Sequence, residues 1–425
     1  MPEQQPEPNP AGEDESGLRA QYEAYPYPAR DPADEARRLV IGSPSHLAEI
    51  NHYLFAGRRD FTRPFRALIA GGGTGDGTIM LAQQLASAGG GGEVVYLDLS
   101  ERAMAIAQAR ARARKLDNIR FIQGSLGALA ALDLGRFDYI DCCGVLHHLP
   151  DPAQALRALG LALVEDGGIG VMVYGELGRT GVYHVQDALR RIVAGEGDKM
   201  RLAIARRLLA DLPAGNWLKR NPLLADHLHG DDAGLYDLLL HSRDRAFRIG
   251  QVFDLVAAAG LSIAALIEPC RYDPASYLRD PQVLERARAL PARERAEFAE
   301  LVSGTMKRHV FYALKGSAEG RLAEPDSPAV VPLLREGHGG AMARGLKPGG
   351  PLIADLEGLR VSLPLPRLGP AILARIDGRL NLNEIHRDLS GAIGGIAWER
   401  FKSEFDKLYR AMTAINVMLL RHPAG

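Results

Sequence analysis

Cysteine is scarce in this chain. Three cysteines in 425 residues, two of them adjacent (Cys142 and Cys143), make no disulfide framework. Long apolar runs are missing as well. None reaches 18 residues, so no membrane-spanning helix and no membrane partner is expected. Charge of one sign is missing too: 51 Lys and Arg against 52 Asp and Glu leave a net charge of −1. That balance counts against a broad nucleic-acid or membrane-surface partner. The N-terminal stretch MPEQQPEPNPAGEDESG lacks the basic and apolar regions of a signal peptide. Its polar, proline-rich composition predicts a disordered tail over residues 1–17 and a cytoplasmic protein. The length predicts two or three domains, and 46% apolar residues supply their cores.

What is present is glycine, concentrated in one place. Ala67 to Ala70 is a run of strand length, and a helical pattern extends from about Thr78 to Ser87. Between them stand Gly71, Gly72, Gly73, Gly75 and Gly77. Four more glycines end the helix, and a second apolar run, Val94 to Leu97, stops at Asp98. Strand, glycine turn, helix, strand and terminal carboxylate make half of a nucleotide-binding unit. Glycine lets the backbone turn tightly and approach a ligand. The helix N-terminus offers free N–H groups. The carboxylate can accept hydrogen bonds from both ribose hydroxyls.

Two phosphate-binding patterns fail. The dinucleotide fingerprint needs glycine at i, i+2 and i+5, and the last place falls on Asp76 or Thr78. A P-loop needs lysine after its last glycine, and Gly77 is followed by Thr78. The spacing present is G-x-G-x-G at Gly71, Gly73 and Gly75. With Asp98, it resembles the first two motifs of the class I S-adenosylmethionine-dependent methyltransferases. That ligand carries no phosphate, so no phosphate anchor is needed.

Strands and helices continue to alternate. Ser100 caps a helix over Glu101 to Lys115, whose arginines read as a solvated face. Ile119 to Ile122 is a third strand and Phe137 to Cys142 a fourth. Asp151-Pro152 starts a helix running to about Leu163. Glu165 to Gly168 turns into a fifth strand, Ile169 to Tyr174. Helices follow at Val185 to Val193, Lys199 to Leu212 and Asp226 to Leu240. Leu261 to Glu268 and Lys307 to Leu314 are the sixth and seventh strands, with a helical stretch, Asp280 to Thr305, between them. This order predicts an α/β fold with a parallel, doubly wound sheet.

The stretch FDYIDCCGVLHHLPDP resembles the post-strand-four motif of small-molecule members of the same family, where V-L-H-H-L-x-D-P is frequent. The resemblance spans about Arg66 to Tyr174. It implies a Rossmann-like seven-stranded sheet with its last strand antiparallel, and S-adenosyl-L-methionine as cofactor. Gly71, Gly73 and Gly75 then line the methionine side, Asp98 holds the ribose, Ser125 and Leu126 flank the adenine, Val145 to His147 line the open face, and Leu99 and Gly144 join the cofactor-binding set. Ser125 departs from the family, which usually has an acid near that point. Asn/Asp-Pro-Pro-Tyr is absent after strand four, which counts against base-amino or glutamine methylation. A Tyr/Pro segment, Tyr22 to Pro28, resembles one that precedes the glycine motif in a bacterial subset. It implies a lid over residues 18–65, with Tyr25 and Tyr27 toward the substrate. The competing reading is an aromatic segment packed on a domain surface.

Methyl transfer from a sulfonium is an in-line displacement, for which alignment and dryness suffice. A base is needed only for a hydroxyl, an acidic carbon or a protonated amine. His147, His148 and Tyr174 are the candidates, at the sheet's C-terminal crevice. The histidines equally suit a capping or lining role. Two adjacent histidines with only Asp151 close by do not make ligand spacing, so no metal is expected. Arg179, Tyr183 and Arg243 are substrate candidates. An arginine contact would imply an anionic acceptor, whereas the competing reading is a structural ion-pair network.

The methyltransferase domain is placed at 66–316, with a helical cap at about 180–245. Ser317 to Pro328 reads as a linker. Residues 329–425 read as a small, mainly α, winged-helix-like module. Its I-D-G-x-x-x-L-x-E-I pattern, Ile376 to Ile385, resembles peptide-clasping domains of peptide-modifying enzymes. A packing or dimerisation role, in a homodimer, is the other reading. The function expected is methyl transfer to a small-molecule or peptide acceptor. The rivals are a nicotinamide oxidoreductase, which the glycine spacing opposes, and a non-catalytic S-adenosylmethionine-binding sensor or scaffold.

Overall fold

The computed structural model describes residues 10–225, 228 and 231–423. One sheet contains β1 (Arg66–Ala70), β2 (Glu93–Asp98), β3 (Ile119–Gln123), β4 (Phe137–Cys143), β5 (Leu163–Tyr174), β6 (Leu261–Leu266) and β7 (Arg308–Lys315). Their spatial order is 3-2-1-4-5-7-6. The first five run parallel, while β7 runs antiparallel to both β5 and β6. This is the doubly wound, Rossmann-like methyltransferase sheet. β1 lies at its centre with Leu68 between Val95 and Ile140, all fully buried. A strand covered on both faces needs a continuous apolar run, and Ala67 to Ala70 supplies one.

Helices cover both faces. They are α1 (Pro10–Ala24), α2 (Leu47–Leu54), α3 (Asp76–Ala88), α4 (Glu101–Ala113) and α5 (Pro152–Ala162). α4 and α5 start where side-chain oxygens of Ser100 and Asp151 accept the amides of Ala103 and Gln154. The cap consists of α6 (Val182–Ile192), α7 (Asp198–Asp211) and α8 (Asp232–Leu239), packed through Val182, Val185, Leu189 and Leu235. α9 (Ile249–Ala258), α10 (Pro281–Arg288) and α11 (Ala292–Ser303) complete this part.

Several boundaries differ from the sequence reading. α1 begins at Pro10, inside the expected tail, while residues 1–9 lie outside those described. Part of the expected helix from Asp226 also lies outside them, and α8 begins at Asp232. Residues 165–168, read as a turn, belong to β5, which pairs with β4 across a register shift between Phe137 and Tyr139. The stretch 280–305 is two helices, broken ahead of Pro291.

The C-terminal unit is mainly helical: α12 (Gly339–Ala343), α13 (Gly369–Leu373), α14 (Leu382–Ile393) and α15 (Trp398–Ala414). Two antiparallel pairs join it, β8 (Val331–Leu334) with β11 (Met418–Arg421), and β9 (Pro351–Leu356) with β10 (Leu359–Pro364). Phe401, Phe405, Ile385, Leu389 and Met412 form its core. Residues 317–328 do not hang free. Ala323 is fully buried and its amide donates to the His52 carbonyl at 2.8 Å, while Arg321 Nε donates to the Leu54 carbonyl. β11 then lies on α2: Leu420 N–H donates to His52 Nδ1 at 3.0 Å, and Tyr53 Oη donates to Asn416 Oδ1 at 2.9 Å.

Candidate functional site

The site begins where β1 ends. Gly71, Gly73 and Gly75 adopt φ of +85°, +50° and +102°, which L side chains rarely adopt, so the chain can double back before α3. Asp98, at the end of β2, turns its carboxylate to this loop. Its Oδ2 accepts the Gly73 amide at 2.7 Å and its Oδ1 the Ser100 amide at 2.9 Å. Burial raises the carboxyl's pKa, against the pull of these amides. Tyr96 Oη donates to the Gly73 carbonyl at 2.8 Å and fixes the other side of the turn. Leu99 follows Asp98 directly.

The N-terminal segment lies across this turn. Thr74 Oγ1 donates to the Pro28 carbonyl at 2.7 Å. Tyr27 contributes its carbonyl beside Gly73, close enough that a Cβ there would meet it at 3.1 Å. Arg30 grips Asp76 through both guanidinium edges, at 2.8 and 2.6 Å. Arg110, fully buried on α4, joins Glu35 of the segment to Asp76 and the Thr74 carbonyl. The Glu23 carboxylate accepts the first amides of α4, those of Glu101 and Arg102. Tyr25 stacks on Tyr236 of the cap at 4.8 Å between ring centroids.

Beyond β4, Gly144 (φ +79°) turns the chain and brings Val145 against Gly71. A single 3-10 turn, Leu146–His148, follows. His147 is fully buried, stacks on Tyr174 at 3.8 Å, and has no partner for either ring nitrogen among the described residues. Burial, first of all, and the neighbouring Arg179 charge hold its pKa well below the usual range, so the imidazole is neutral with a lone pair to give. His148 stacks on His241 at 3.8 Å and places Nδ1 2.8 Å from the Arg243 carbonyl. Tyr174 Oη donates to Asp237 Oδ2 at 3.1 Å. Burial raises this phenol's pKa, which keeps the proton on it.

Arg179 lies 3.7 Å over the Tyr174 ring, pairs with Asp244 at 3.0 Å and donates to Tyr183 Oη. The structure thus gathers His147, His148, Tyr174, Arg179 and Tyr183 into one packed, largely buried cluster under the cap. Arg243 enters it through its carbonyl. Ser125 caps a short 3-10 helix by accepting the Gly127 amide, and Leu126 beside it is buried. Asp237 and His241 were not expected there. The only local signal was the charge-rich stretch HSRDR, and nothing in its spacing points to strand four. Asp141 was missed as well; burial pushes its carboxyl up to about 6 beside Ser45. Among the described residues, two three-residue groups have metal-ligating geometry: His147 with His148 and Asp244, and His148 with Asp237 and His241.

No helix is long and apolar enough to cross a membrane, among the described residues. Residues 68–169 match the family model of a methyltransferase domain. An uncharacterized protein of Synechococcus sp. is 31% identical over 301 residues, which is 69% of this chain and 70% of that one. The ubiquinone biosynthesis O-methyltransferase of Albidiferax ferrireducens is 38% identical over 78 residues, 18% of this chain and 31% of that one. The fold matches that of PKMT2 from Rickettsia typhi in complex with AdoHcy. The TM-score is 0.60 at 13% identity, over 89% of this chain and 75% of that chain. The chain therefore belongs to one family with the Synechococcus protein, and it carries a methyltransferase domain on the fold shared with PKMT2.

Proposed function

We propose that this protein transfers a methyl group from S-adenosylmethionine to a small-molecule or peptide acceptor whose reacting atom reaches the cluster beside Val145 and His147. The observation that carries this reading is His147. A fully buried imidazole with both nitrogens unpaired is costly in isolation, and a bound acceptor would pair it. Gly71, Gly73 and Gly75 would receive the methionine end and the Asp98 carboxylate the ribose, with Leu99, Ser125 and Leu126 near the adenine. The sulfonium then points from the glycine turn toward Val145, and displacement in line needs only an aligned lone pair in a dry site.

A substrate contact by Arg179 would imply an anionic acceptor, and a structural ion pair would not. Its guanidinium is committed to Asp244 and to the Tyr174 ring, so we place no anion requirement on the acceptor. The C-terminal unit we read as accessory. Its winged-helix-like reading rests on the order of its helices and terminal strand, its peptide-clasping reading on Ile376 to Ile385. There Asp377 accepts the amides of Arg379 and Leu380, and Ile376 and Ile385 are core residues. The motif's packing role alone accounts for those residues.

The test uses labelled cofactor with cell extract split into small-molecule and protein fractions. Label should enter one fraction with wild-type protein. His147→Gln should lower kcat by about 100-fold or more, the scale of a lost proton-removing arrangement, with cofactor affinity unchanged. Tight cofactor binding without transfer to either fraction would instead favour a non-catalytic sensor.

A further inference from the structure

We propose that His147, His148 and Asp244 hold a divalent transition-metal ion of the zinc type, inside the cluster between β4 and the cap. One donor atom from each lies within 4.8 Å of the others. Three observations on these side chains converge. Among the described residues, neither nitrogen of His147 has a partner. Oδ1 of Asp244 has none either, on a side chain at 0% exposure. His148 faces a carbonyl with Nδ1, which assigns the proton there and leaves a lone pair on Nε2. With the His147 proton on its far nitrogen, three acceptor positions sealed from water converge, and a cation or a donor brought from outside would satisfy them.

The surrounding contacts are those of a metal site. A ligating histidine usually donates its far N–H to a carbonyl, as His148 does to Arg243. A ligating carboxylate is usually held through its other oxygen. Asp244 Oδ2 accepts from Arg179 and from Gln186, each at 3.0 Å. Two imidazoles beside one carboxylate suit zinc-like ions, whereas magnesium and calcium take oxygen shells. Within this group, Asp244 pairs with Arg179, and Asp237 accepts a hydrogen bond from Tyr174 Oη at 3.1 Å. Bonds of about 2.0–2.2 Å place ligand atoms closer together than the present spacing, and rotation of the side chains must close the remainder.

The second group, His148 with Asp237 and His241, fits less well. Nδ1 of His241 accepts the Arg243 amide at 3.0 Å, which puts its proton on Nε2, facing Tyr22. That nitrogen has no lone pair to give. Three protein ligands leave further coordination positions open, where an acceptor oxygen or a water would bind and part with its proton more readily. With the ion bound the His147 lone pair is committed to it, and the ion-bound oxygen, not the free imidazole, sets the proton loss; that role rests on the methyl-transfer reading, whereas the binding of the ion does not.

The experiment titrates the full chain, stripped with chelator and dialysed, with Co2+ alone, following visible d–d absorption. The same samples are titrated with S-adenosylhomocysteine as an independent report on the cofactor site. One equivalent of cobalt should bind and raise the melting temperature. His147→Gln and Asp244→Asn should each weaken cobalt binding at least about tenfold, the lower end for disturbing a metal site. His147→Gln removes no hydrogen bond, and a melting curve of the variant checks that its fold is retained. Absence of stoichiometric cobalt, or cobalt bound equally by wild type and His147→Gln, overturns the assignment. If such samples still bind S-adenosylhomocysteine, the metal proposal alone fails and the cofactor assignment stands.

Discussion

Between pH 7.5 and pH 4.5 the folded state is expected to lose about 3 kcal/mol through His52 alone. This residue sits on α2 where the C-terminal unit docks. Burial, first of all, drives its pKa down from the ordinary 6.5 to about 3. Nδ1 accepts the Leu420 amide, so protonation there also turns an acceptor against a donor. A histidine whose folded pKa lies below its unfolded value contributes stability that is complete above 6.5. It is lost as the pH falls from there toward 3. His46, lowered to about 4 by burial and by Arg335, adds in the same direction over 6.5 to 4. Asp141 opposes them. Burial lifts its carboxyl to about 6, and the cost of keeping it ionised is relieved below that pH.

A variant separates the histidine from these other groups. In His52→Asn the side-chain oxygen can still accept the Leu420 amide but cannot titrate. Urea unfolding at the two pH values should show wild type losing about 3 kcal/mol more than the variant on acidification. Equal losses in the two proteins would mean that His52 is not buried neutral at this junction.

Gly71→Ala is expected to lower S-adenosylhomocysteine affinity by at least about 100-fold, that is by roughly 3 kcal/mol. Two costs combine. An L residue at φ +85° is strained by about 1–3 kcal/mol. A Cβ at this position would also stand 2.3 Å from Val145 Cγ2, which no contact tolerates. Val145 must then shift, and it leads directly into the turn that carries His147. Gly89→Ala is the control. Gly89 has φ +76° at the end of α3, with nothing within 4 Å of its added Cβ. The control should cost about 1 kcal/mol of stability and leave affinity unchanged. Calorimetric titration of both variants checks this. Matching affinities would remove the glycine turn from the cofactor site.

Legibility in the sequence followed distance along the chain. The unit from β1 to β2 could be read because every part is local: a buried apolar run, glycines where φ must be positive, and an acid at the next strand's end. The strand-four motif could be read for the same reason. Asp237 and His241 could not. They reach His148 and Tyr174 only after the chain has built the cap, and a single histidine or aspartate carries no period. The join between the two units was also hidden. It is made by His52, Tyr53, Asn416 and Tyr409, polar groups that satisfy one another across hundreds of residues. The hairpin of β9 and β10 was overlooked because its strands are half exposed and its apolar alternation is short. β5 was shortened because Gly167 and Gly168 read as a turn. In the fold those glycines lie in the strand, and a Cβ on Gly168 would stand 2.6 Å from Leu54.

Titration of Asp98→Ala with S-adenosylhomocysteine in a calorimeter is the most direct test of the account. Wild type should bind one equivalent, and the variant should bind about 1–3 kcal/mol more weakly, or roughly 5- to 150-fold, the scale of a lost charged acceptor. A variant that keeps its melting temperature and binds as tightly as wild type would contradict the placement of the ribose on β2 and, with it, the cofactor site.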